Sequence, residues 1–315
     1  MVSGIKIMSI QYSISAAFSF FISFSLSIGF NPSSAVAADW KTVPIADVHW
    51  HVYQDHSPET EFRKLSKVNV QWAGGVGDLQ KRLSELLGKR YIAAYGQRQW
   101  TAVFIRKGGN PALSDLSNFN LFFKEAENLF QTGTIQGIGE IHTNSLGRAE
   151  RDTPIDGPVL LKMYELVNRY KGFIQIHHSS ARAPIDSVIA VVNRFPDATF
   201  VFSHCMFDRN AKAMRTLFSN TKNAFCELSA TGPVKDARDT EIAWGPRWNG
   251  LNPGYKKLIL DFPDRVMLGA DTCCGLHTRY EDIINAMRQF ILADLEEPVR
   301  SKVAFENALA VFKLQ

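Results

Sequence analysis

The feature that most restricts the fold of this 315-residue chain is a regular alternation of β-rich runs and amphipathic helical patterns from about residue 40 onward. The β-rich runs occur at 43–52, 67–75, 100–106, 135–143, 172–179, 198–206, 223–230 and 265–271. Helical patterns, with apolar residues three and four apart, lie at 77–90, 116–131, 157–172 and 184–196. Eight strand-like runs that alternate with helices over about 275 residues predict an α/β fold, the (β/α)8 TIM barrel.

A doubly wound open sheet is the alternative arrangement of alternating strands and helices. That fold binds dinucleotides through a G-x-G-x-x-G loop, and the glycine-rich stretch GGVGD at 74–78 lacks this spacing. No composition shift, internal repeat or low-complexity linker divides residues 38–315. We therefore predict one barrel domain over 38–315.

The N-terminal residues follow a different pattern from the rest of the chain. Lys6 is the only charged residue among the first 38, and an uncharged, Phe-rich run ends near Ala35-Val36-Ala37, which fits a signal-peptide cleavage site. We predict a signal peptide over 1–37 and, since no twin arginine precedes the run, Sec-type export to the periplasm or the extracellular space. The alternative is an uncleaved anchor, because the run approaches the length that spans a bilayer, and membrane contact is expected only in that case.

Charge and cysteine content leave few constraints on partners. The formal net charge is +4 without a run of Lys or Arg, so neither a nucleic-acid arm nor a polybasic membrane patch is predicted. We expect a small-molecule substrate and no nucleic acid, and homo-oligomer formation stays open. The four cysteines are too few for a disulfide framework, and whether any of them pair in an oxidising compartment stays open.

The stretch ADVHWHVY at 46–53 places two histidines at the end of the first run. Side chains alternate between the faces of a strand, so Asp47, His49 and His51 project from one side. Taken alone, this motif fits polar residues on a wet face as well as it fits a metal site.

Four further runs end in residues that can bind a divalent metal. These residues are Glu140, His142, His177, His178, His204 and Asp271. The active site of a TIM barrel lies at the C-terminal ends of its strands, which is where these residues fall. Scattered polar residues rarely mark five of eight strand ends in this way, so we predict a metal centre.

Five motifs together resemble the metal-dependent hydrolases of the amidohydrolase superfamily, with a ligand set similar to that of its TatD-like branch. The motifs are D-x-H-x-H at 47–51, GIGEIH at 137–142, IQIHH at 174–178, FVFSHC at 200–205 and VMLGAD at 266–271. The sequence VAFENALAVFKL at 303–314 is also similar to the closing helix common in that group. The resemblance extends from about residue 43 to the C-terminus.

The resemblance implies a role for each candidate ligand. His49, His51 and Asp271 would bind one metal and His177 and His204 a second. Glu140 would bridge them, where many members carry a carbamylated lysine. One ion or two remain open. Zn²⁺ suits imidazole and carboxylate ligands, with Mn²⁺, Fe²⁺ or Ni²⁺ as alternatives. Asp271 would also be catalytic, accepting a proton as metal-bound hydroxide attacks and passing it to the leaving group.

Four further residues are weaker candidates for contacts to ligands or substrate. Strand alternation lets only one of His177 and His178 face inward, and the resemblance favours His177. His142 shares the inward face of Glu140, and Asp47 lies one layer below His49, so either can orient a ligand. Arg182 belongs to a set that either clamps an anionic substrate or is simply solvated in loops. The set is Arg148, Arg151, Arg182, Trp244, Arg247, Trp248 and Arg279.

The seventh run contributes no predicted ligand. Its Glu227 and Ser229 fit a solvent-facing position as well as a position near the pocket. The sequence alone leaves both possibilities open.

We predict an exported metal-dependent hydrolase that cleaves an ester, lactone, amide or phosphoester bond in a small molecule. A metal-dependent decarboxylase of the same superfamily is one alternative, although such relatives often carry a carboxylate in place of His49. A non-catalytic metal-binding barrel is another, although the complete ligand set with Asp271 argues against it. A TatD-like deoxyribonuclease is disfavoured because no basic cluster is present.

Overall fold

The structure is a computed structural model, and it describes residues 39–52, 56–107, 115–143, 153–181, 183–206, 210–229, 251–273 and 276–315. The predicted signal peptide at 1–37 lies outside these residues. Within the described part of the chain, no helix is both long and apolar enough to cross a bilayer.

Parallel strands form the centre of the molecule. They are β1 Ile45–Asp47, β2 Val70–Gly74, β3 Tyr91–Ile92, β4 Ala94–Tyr95, β5 Gly137–His142, β6 Phe173–His177, β7 Thr199–Phe202, β8 Ala224–Leu228 and β9 Val266–Leu268. Their order in the sheet is β3-β2-β1-β9-β8-β7-β6-β5-β4. Because only Ala93 separates β3 from β4, the two ends of this order are joined through one extended stretch. The sheet is a nearly closed ring, and the predicted α/β TIM barrel is confirmed.

Helices follow the strands and cover the outside of the ring. They are α1 Pro58–Lys67, α2 Lys81–Leu87, α3 Gln97–Lys107, α4 Asn120–Gln131, α5 Pro158–Arg169, α6 Ile185–Arg194, α7 Ala211–Asn220, α8 Pro253–Asp261 and α9 Tyr280–Phe290. The chain ends in three consecutive helical pieces that we call the C-terminal helix: Val299–Ser301, the π-helical Lys302–Glu306 and Asn307–Phe312. Side-chain oxygens of Ser57, Asn210 and Asn252 accept backbone N–H groups at the starts of α1, α7 and α8. All four predicted helical patterns form helices.

The third barrel strand lies earlier in the chain than predicted. The prediction of a strand at 100–106 is wrong, because these residues belong to α3. The strand is instead YIAAY at 91–95, where Tyr91 pairs with β2 and Ala94 pairs with β5. Aromatic and β-branched residues in WTAVFIR favour a strand by local propensity, whereas the two central alanines of YIAAY carry little strand signal. Pairing with neighbours on both sides overrides that propensity.

An apolar cluster fills the N-terminal end of the barrel. We call it the barrel floor: Ala46, Val48, Trp72, Ile92, Ala94, Phe173, Val201 and Met267, with Ala308, Phe312 and Leu314 from the end of the chain. The Phe312 ring packs edge-on against Phe173, the first residue of β6, with 4.7 Å between ring centroids. Phe305 stacks on Trp72 at 5.7 Å. The C-terminal helix therefore covers this end of the ring, and the strands point their other ends away from it.

Candidate metal centre

The two histidines of the first motif lie just beyond β1, where the chain continues in strand-like register. The Val48 N–H donates to the carbonyl of Leu268 in β9, and the Trp50 N–H donates to that of Gly74 in β2. These bonds preserve the alternation of side chains, so His49 and His51 both turn into the barrel, where both are buried. Their ring centroids are 5.2 Å apart.

The Nε2 atoms of these histidines meet the same two carboxylate oxygens, which belong to Glu140 on β5 and to Asp271 after β9. His49 Nε2 lies 3.4 Å from Glu140 Oε2 and 3.4 Å from Asp271 Oδ1. His51 Nε2 lies 3.6 Å and 3.3 Å from the same atoms. We call these four atoms the first donor set. Ligands at about 2.0–2.2 Å from a tetrahedral zinc ion lie about 3.3–3.6 Å from one another, and these four nitrogen-to-oxygen distances are in that range.

Hydrogen bonding supports the same conclusion. His49 Nε2, His51 Nε2 and Asp271 Oδ1 are buried and have no hydrogen-bond partner among the described residues. Buried polar atoms without a partner are rare because desolvating them costs about 1–3 kcal/mol each. A divalent cation at their common point would satisfy all three at once. The first donor set therefore fits a metal both by distance and by hydrogen bonding.

The remaining predicted ligands form a second donor set beside the first. His177 Nδ1 lies 3.0 Å from Glu140 Oε1 and 3.3 Å from His204 Nε2. His204 Nε2 lies 3.9 Å from Glu140 Oε1 and 3.8 Å from Asp271 Oδ2. Glu140 and Asp271 thus offer one oxygen to each set. All six predicted ligands converge at the C-terminal end of the barrel, in an arrangement that one ion or two can use.

Two of the weaker candidates pack around the ligands. Asp47 Oδ1 accepts the N–H groups of His49 (3.1 Å) and Ala270 (2.8 Å), and its Oδ2 accepts the Tyr280 hydroxyl at 3.0 Å. Asp47 therefore fixes the backbone next to His49. The His142 ring stacks on His177 with centroids 4.4 Å apart.

The other weaker candidates lie elsewhere. The His178 ring faces Thr143, whose hydroxyl is 2.7 Å from its Nδ1, so His177 and not His178 adjoins Glu140. Arg182 lies outside the described residues, as do Arg148, Arg151, Trp244, Arg247 and Trp248. Arg279 is described, and its guanidinium donates to Asp282 at 2.6 Å.

Glu227 in β8 and Ser229 directly after it belong to the site, although the sequence alone did not decide between a solvent-facing position and one near the pocket. Glu227 Oε1 lies 2.6 Å from His49 Nδ1 and accepts the backbone N–H of His204 at 3.1 Å. Ser229 Oγ lies 2.8 Å from His204 Nδ1. Both residues are fully buried. Their spacing of two at a strand end is the same signal that marked the ligands on the other strands.

The histidines and carboxylates of the centre shift one another's pKa values. Burial by itself would lower the pKa of His49, but the carboxylates of Glu140, Asp271 and Glu227 raise it well above its usual value. Burial would raise the pKa of Glu140, but the neighbouring histidines hold it well below its usual range. Charge on one partner therefore stabilises charge on the other. Glu140 and Asp271 are therefore ionised at neutral pH, the form in which a carboxylate binds a metal.

Two other histidines of the centre behave in the opposite way. Burial, together with the nearby His177, lowers the pKa of His142 to about 3. The same two causes lower the pKa of His204. Both rings are thus neutral at pH 7, the form in which imidazole binds a metal.

A disulfide joins the turn after β7 to the middle of β8 beside the ligands. Cys205, directly after His204, is bonded to Cys226, directly before Glu227. The turn at 204–206 has positive φ at three consecutive non-glycine residues: +61°, +45° and +75°. Such backbone persists only where the surroundings hold it in place, and the disulfide and the hydrogen bond to the His204 N–H provide two such restraints.

Comparisons with known proteins identify similar folds. A protein-family model described as amidohydrolase matches residues 93–314, most of the chain. An amidohydrolase from Burkholderia multivorans, crystallised with HEPES, superimposes with a TM-score of 0.53, at 16% identity over 86% of this chain and 100% of that one. A probable 2-pyrone-4,6-dicarboxylic acid hydrolase from Acinetobacter baumannii gives a TM-score of 0.55, at 16% identity over 86% of this chain and 99% of that one.

A third solved structure, an uncharacterized TIM-barrel protein from Bordetella bronchiseptica, gives a TM-score of 0.51, at 12% identity over 82% of this chain and 83% of that one. No curated protein matches the chain. At these identities the structural likeness shows the fold, and the family model adds the family.

Proposed function

This chain belongs to the amidohydrolase family, and from that premise we propose that it is a metal-dependent hydrolase. The observation that carries the proposal is the first donor set, in which each Nε2 of His49 and His51 lies 3.3–3.6 Å from an oxygen of Glu140 and from an oxygen of Asp271. The set lies at the C-terminal ends of the barrel strands, the end at which TIM-barrel enzymes carry out their chemistry.

The donor atoms favour zinc. Two imidazole nitrogens and two carboxylate oxygens suit Zn²⁺, and Mn²⁺, Fe²⁺ or Ni²⁺ remain chemically acceptable because no thiolate belongs to either donor set. A divalent ion held there acidifies water and polarises a carbonyl or phosphoryl oxygen, which is the chemistry that hydrolysis needs.

Asp271 is the proposed proton acceptor. Burial would raise the pKa of its carboxyl, but His49, His51 and His204 hold that pKa well below its usual range, so it is ionised and able to accept a proton. Its backbone N–H donates to the His49 carbonyl at 2.8 Å, which fixes the carboxylate against the first donor set. Asp271 takes the proton of the attacking water and returns it to the leaving group.

The substrate class is a small molecule with an ester, lactone, amide or phosphoester bond. One structural neighbour, the protein from Acinetobacter baumannii, is named as a 2-pyrone-4,6-dicarboxylic acid hydrolase. That name supports testing lactones and carboxylated ring compounds first. It does not extend the proposal beyond hydrolysis of a small molecule.

Export from the cytosol is part of the proposal, and two observations support it. The residues at 1–37 have the pattern of a signal peptide. The Cys205–Cys226 disulfide is a bond that persists in oxidising compartments and is uncommon in the cytosol. N-terminal sequencing of protein from cell fractions is expected to find Ala38 as the first residue in an exported fraction. An intact Met1 in the cytosolic fraction would contradict export.

A substrate screen tests the function. Zinc-loaded protein, chelator-treated protein and the Asp271→Asn variant are compared on p-nitrophenyl esters, phosphodiesters, lactones and aromatic carboxylic acids. We expect hydrolysis of at least one class by the loaded protein, loss with chelator and recovery on adding zinc. Release of carbon dioxide would identify a decarboxylase, and tight binding without product would identify a binding protein; either result overturns the proposal.

A further inference from the structure

We propose that Glu227 and Ser229 are positioning residues that fix the proton position and the orientation of His49 and His204. The inference rests on the proposed metal-dependent function and deepens it, since it explains how two ligands are held ready for the ion. Both residues lie at the end of β8, between the ligand-bearing strands β7 and β9.

The contact between Glu227 and His49 joins two side chains that are completely shielded from solvent. His49 Nδ1–H donates to Glu227 Oε1 at 2.6 Å. With the proton fixed on Nδ1, a ring that loses its other proton directs the Nε2 lone pair to the point it shares with the oxygens of Glu140 and Asp271, each 3.4 Å away. A metal-binding histidine commonly has its second nitrogen held by a carboxylate, because this fixes the tautomer and increases ligand basicity.

Ser229 supplies the corresponding contact for the second donor set. The Ser229 hydroxyl oxygen lies 2.8 Å from His204 Nδ1, and as the acceptor of an Nδ1–H it would leave the Nε2 lone pair directed at His177, whose Nδ1 is 3.3 Å away. Glu227 assists, because the same Oε1 that accepts from the His49 ring accepts the backbone N–H of His204 at 3.1 Å. One carboxylate oxygen thus joins a ligand of the first set to a ligand of the second.

Gly269 in the loop after β9 shows that the chain leaves room for this contact. A Cβ at position 269 would lie 2.4 Å from His49 Cβ and 2.9 Å from Glu227 Oε2. Any side chain there would push His49 and Glu227 from their present places. The space at Gly269 is therefore a second observation that links position 227 to the orientation of His49.

Zinc affinity gives the first test, measured by competition with a chromophoric chelator. Glu227→Leu replaces the acceptor with an apolar side chain of similar size, and it is expected to weaken zinc binding by about 10–100-fold. Glu227→Gln keeps an acceptor oxygen and is expected to lose less. Ser229→Ala and Gly269→Ala are expected to weaken binding as well.

A matched control is available in α1. Glu61 is also a buried glutamate, but its carboxylate accepts from Lys64 and lies 2.7 Å from the His56 ring, not from a donor-set histidine. Glu61→Leu is therefore expected to leave zinc affinity unchanged. If Glu227→Leu folds and binds zinc as tightly as the wild type, the positioning role is wrong. If Glu227→Leu does not fold, Ser229→Ala and Gly269→Ala decide in the same way.

The ring protons of ¹⁵N-histidine-labelled, metal-free protein give a second test that does not depend on the proposed function. Wild type is expected to show a slowly exchanging, low-field Nδ1 proton on His49, and Glu227→Leu is expected to lose it. Absence of that signal from the wild type would overturn the positioning role. A wild type that shows the signal but binds no zinc would instead refute the metal-dependent function and leave the contact established.

Discussion

The two ends of the barrel differ in what they bury. The barrel floor buries aromatic and aliphatic side chains, whereas the metal centre buries imidazoles and carboxylates at similarly low exposure. A single five-residue strand connects them, because β6 begins with Phe173 at the floor and ends with His177 at the centre. Stability and chemistry are thus contributed by opposite ends of the same strands.

This difference has an energetic consequence. Burial of the floor is favourable, since it removes apolar area from water. Burial of His49, Glu140 and Asp271 requires the desolvation of charged groups, which only good pairing offsets. The floor should therefore be able to stabilise the barrel without a metal, and the centre should gain stability when one binds.

The largest expected loss of zinc affinity and turnover comes from substituting ligands of the metal centre while the barrel floor stays intact. His49→Ala removes a nitrogen of the first donor set and Asp271→Asn removes the negative charge of one of its oxygens, so zinc affinity should fall by more than the roughly 100-fold that loss of an outer contact causes. Turnover should fall with it. Metal analysis and circular dichroism of the purified variants check this, with wild type as the reference. Variants that keep full metal and full turnover would contradict the assigned ligands.

Substitution of a side chain in the barrel floor should instead reduce stability and leave zinc affinity unchanged. Phe312→Ala removes a ring that is 3% exposed, and it is expected to reduce the free energy of unfolding by about 3–5 kcal/mol while zinc affinity stays unchanged. Urea titration and chelator competition measure the two quantities. Leu121→Ala, at a position that is 67% exposed, is the control and should change neither. Loss of zinc binding without loss of stability in Phe312→Ala would show that the two ends are not separable.

Zinc binding at the metal centre is expected to depend on pH. Since neighbouring carboxylates raise the pKa of His49 and His51 well above its usual value in the metal-free protein, both rings carry protons at neutral pH. Binding needs their neutral forms, so zinc should release protons and its affinity should rise with pH until the raised pKa values are passed. Calorimetry in two buffers with different ionisation enthalpies counts the protons. Binding without proton release would contradict the charged state of these rings.

The same pKa shifts predict how stability depends on pH and on zinc. A raised histidine pKa stabilises the metal-free fold below about pH 6.5, and this contribution is lost as pH rises through the folded-state value. Zinc-loaded protein should not share that loss. Zinc at 100 times its dissociation constant should add about 2.7 kcal/mol, which thermal unfolding with and without zinc can measure.

The smallest expected effect lies outside both ends. The Tyr164 hydroxyl in α5 is buried and has no partner among the described residues, and burial raises the pKa of this tyrosine. Tyr164→Phe should change stability by no more than about 1 kcal/mol at pH 7. Unfolded tyrosine ionises near pH 10 whereas the buried ring does not, so wild type should lose stability above about pH 10 and the variant should lose less. Unfolding curves at pH 7 and pH 10.5 compare them, and equal alkaline losses would contradict the prediction.

Much of the fold and the convergence of the site could be predicted from the sequence because strands impose a period of two. That period places Asp47, His49 and His51 on one side of the first strand. Closure of the barrel then brings the C-terminal ends of all strands to the same end of the molecule. The third strand could not be located this way, since its alanines have low β propensity and only pairing with β2 and β5 defines it.

The partners of each ligand were harder to predict, because they depend on distances between strands. Nothing local shows that Glu227 meets the His49 ring across 178 residues of sequence. The Cys205–Cys226 pairing likewise depends on the alignment of β7 with β8, in which Phe202 pairs with Cys226. Such contacts become predictable once strand register is known.

The most direct test of the central claim is a crystal structure of zinc-loaded protein measured at the zinc absorption edge. We predict an anomalous peak at about 2.0–2.2 Å from His49 Nε2, His51 Nε2 and Asp271 Oδ1, at the end of the barrel opposite Phe312. A zinc-saturated protein whose peak lies elsewhere, with these three atoms too far apart to share an ion, would contradict it.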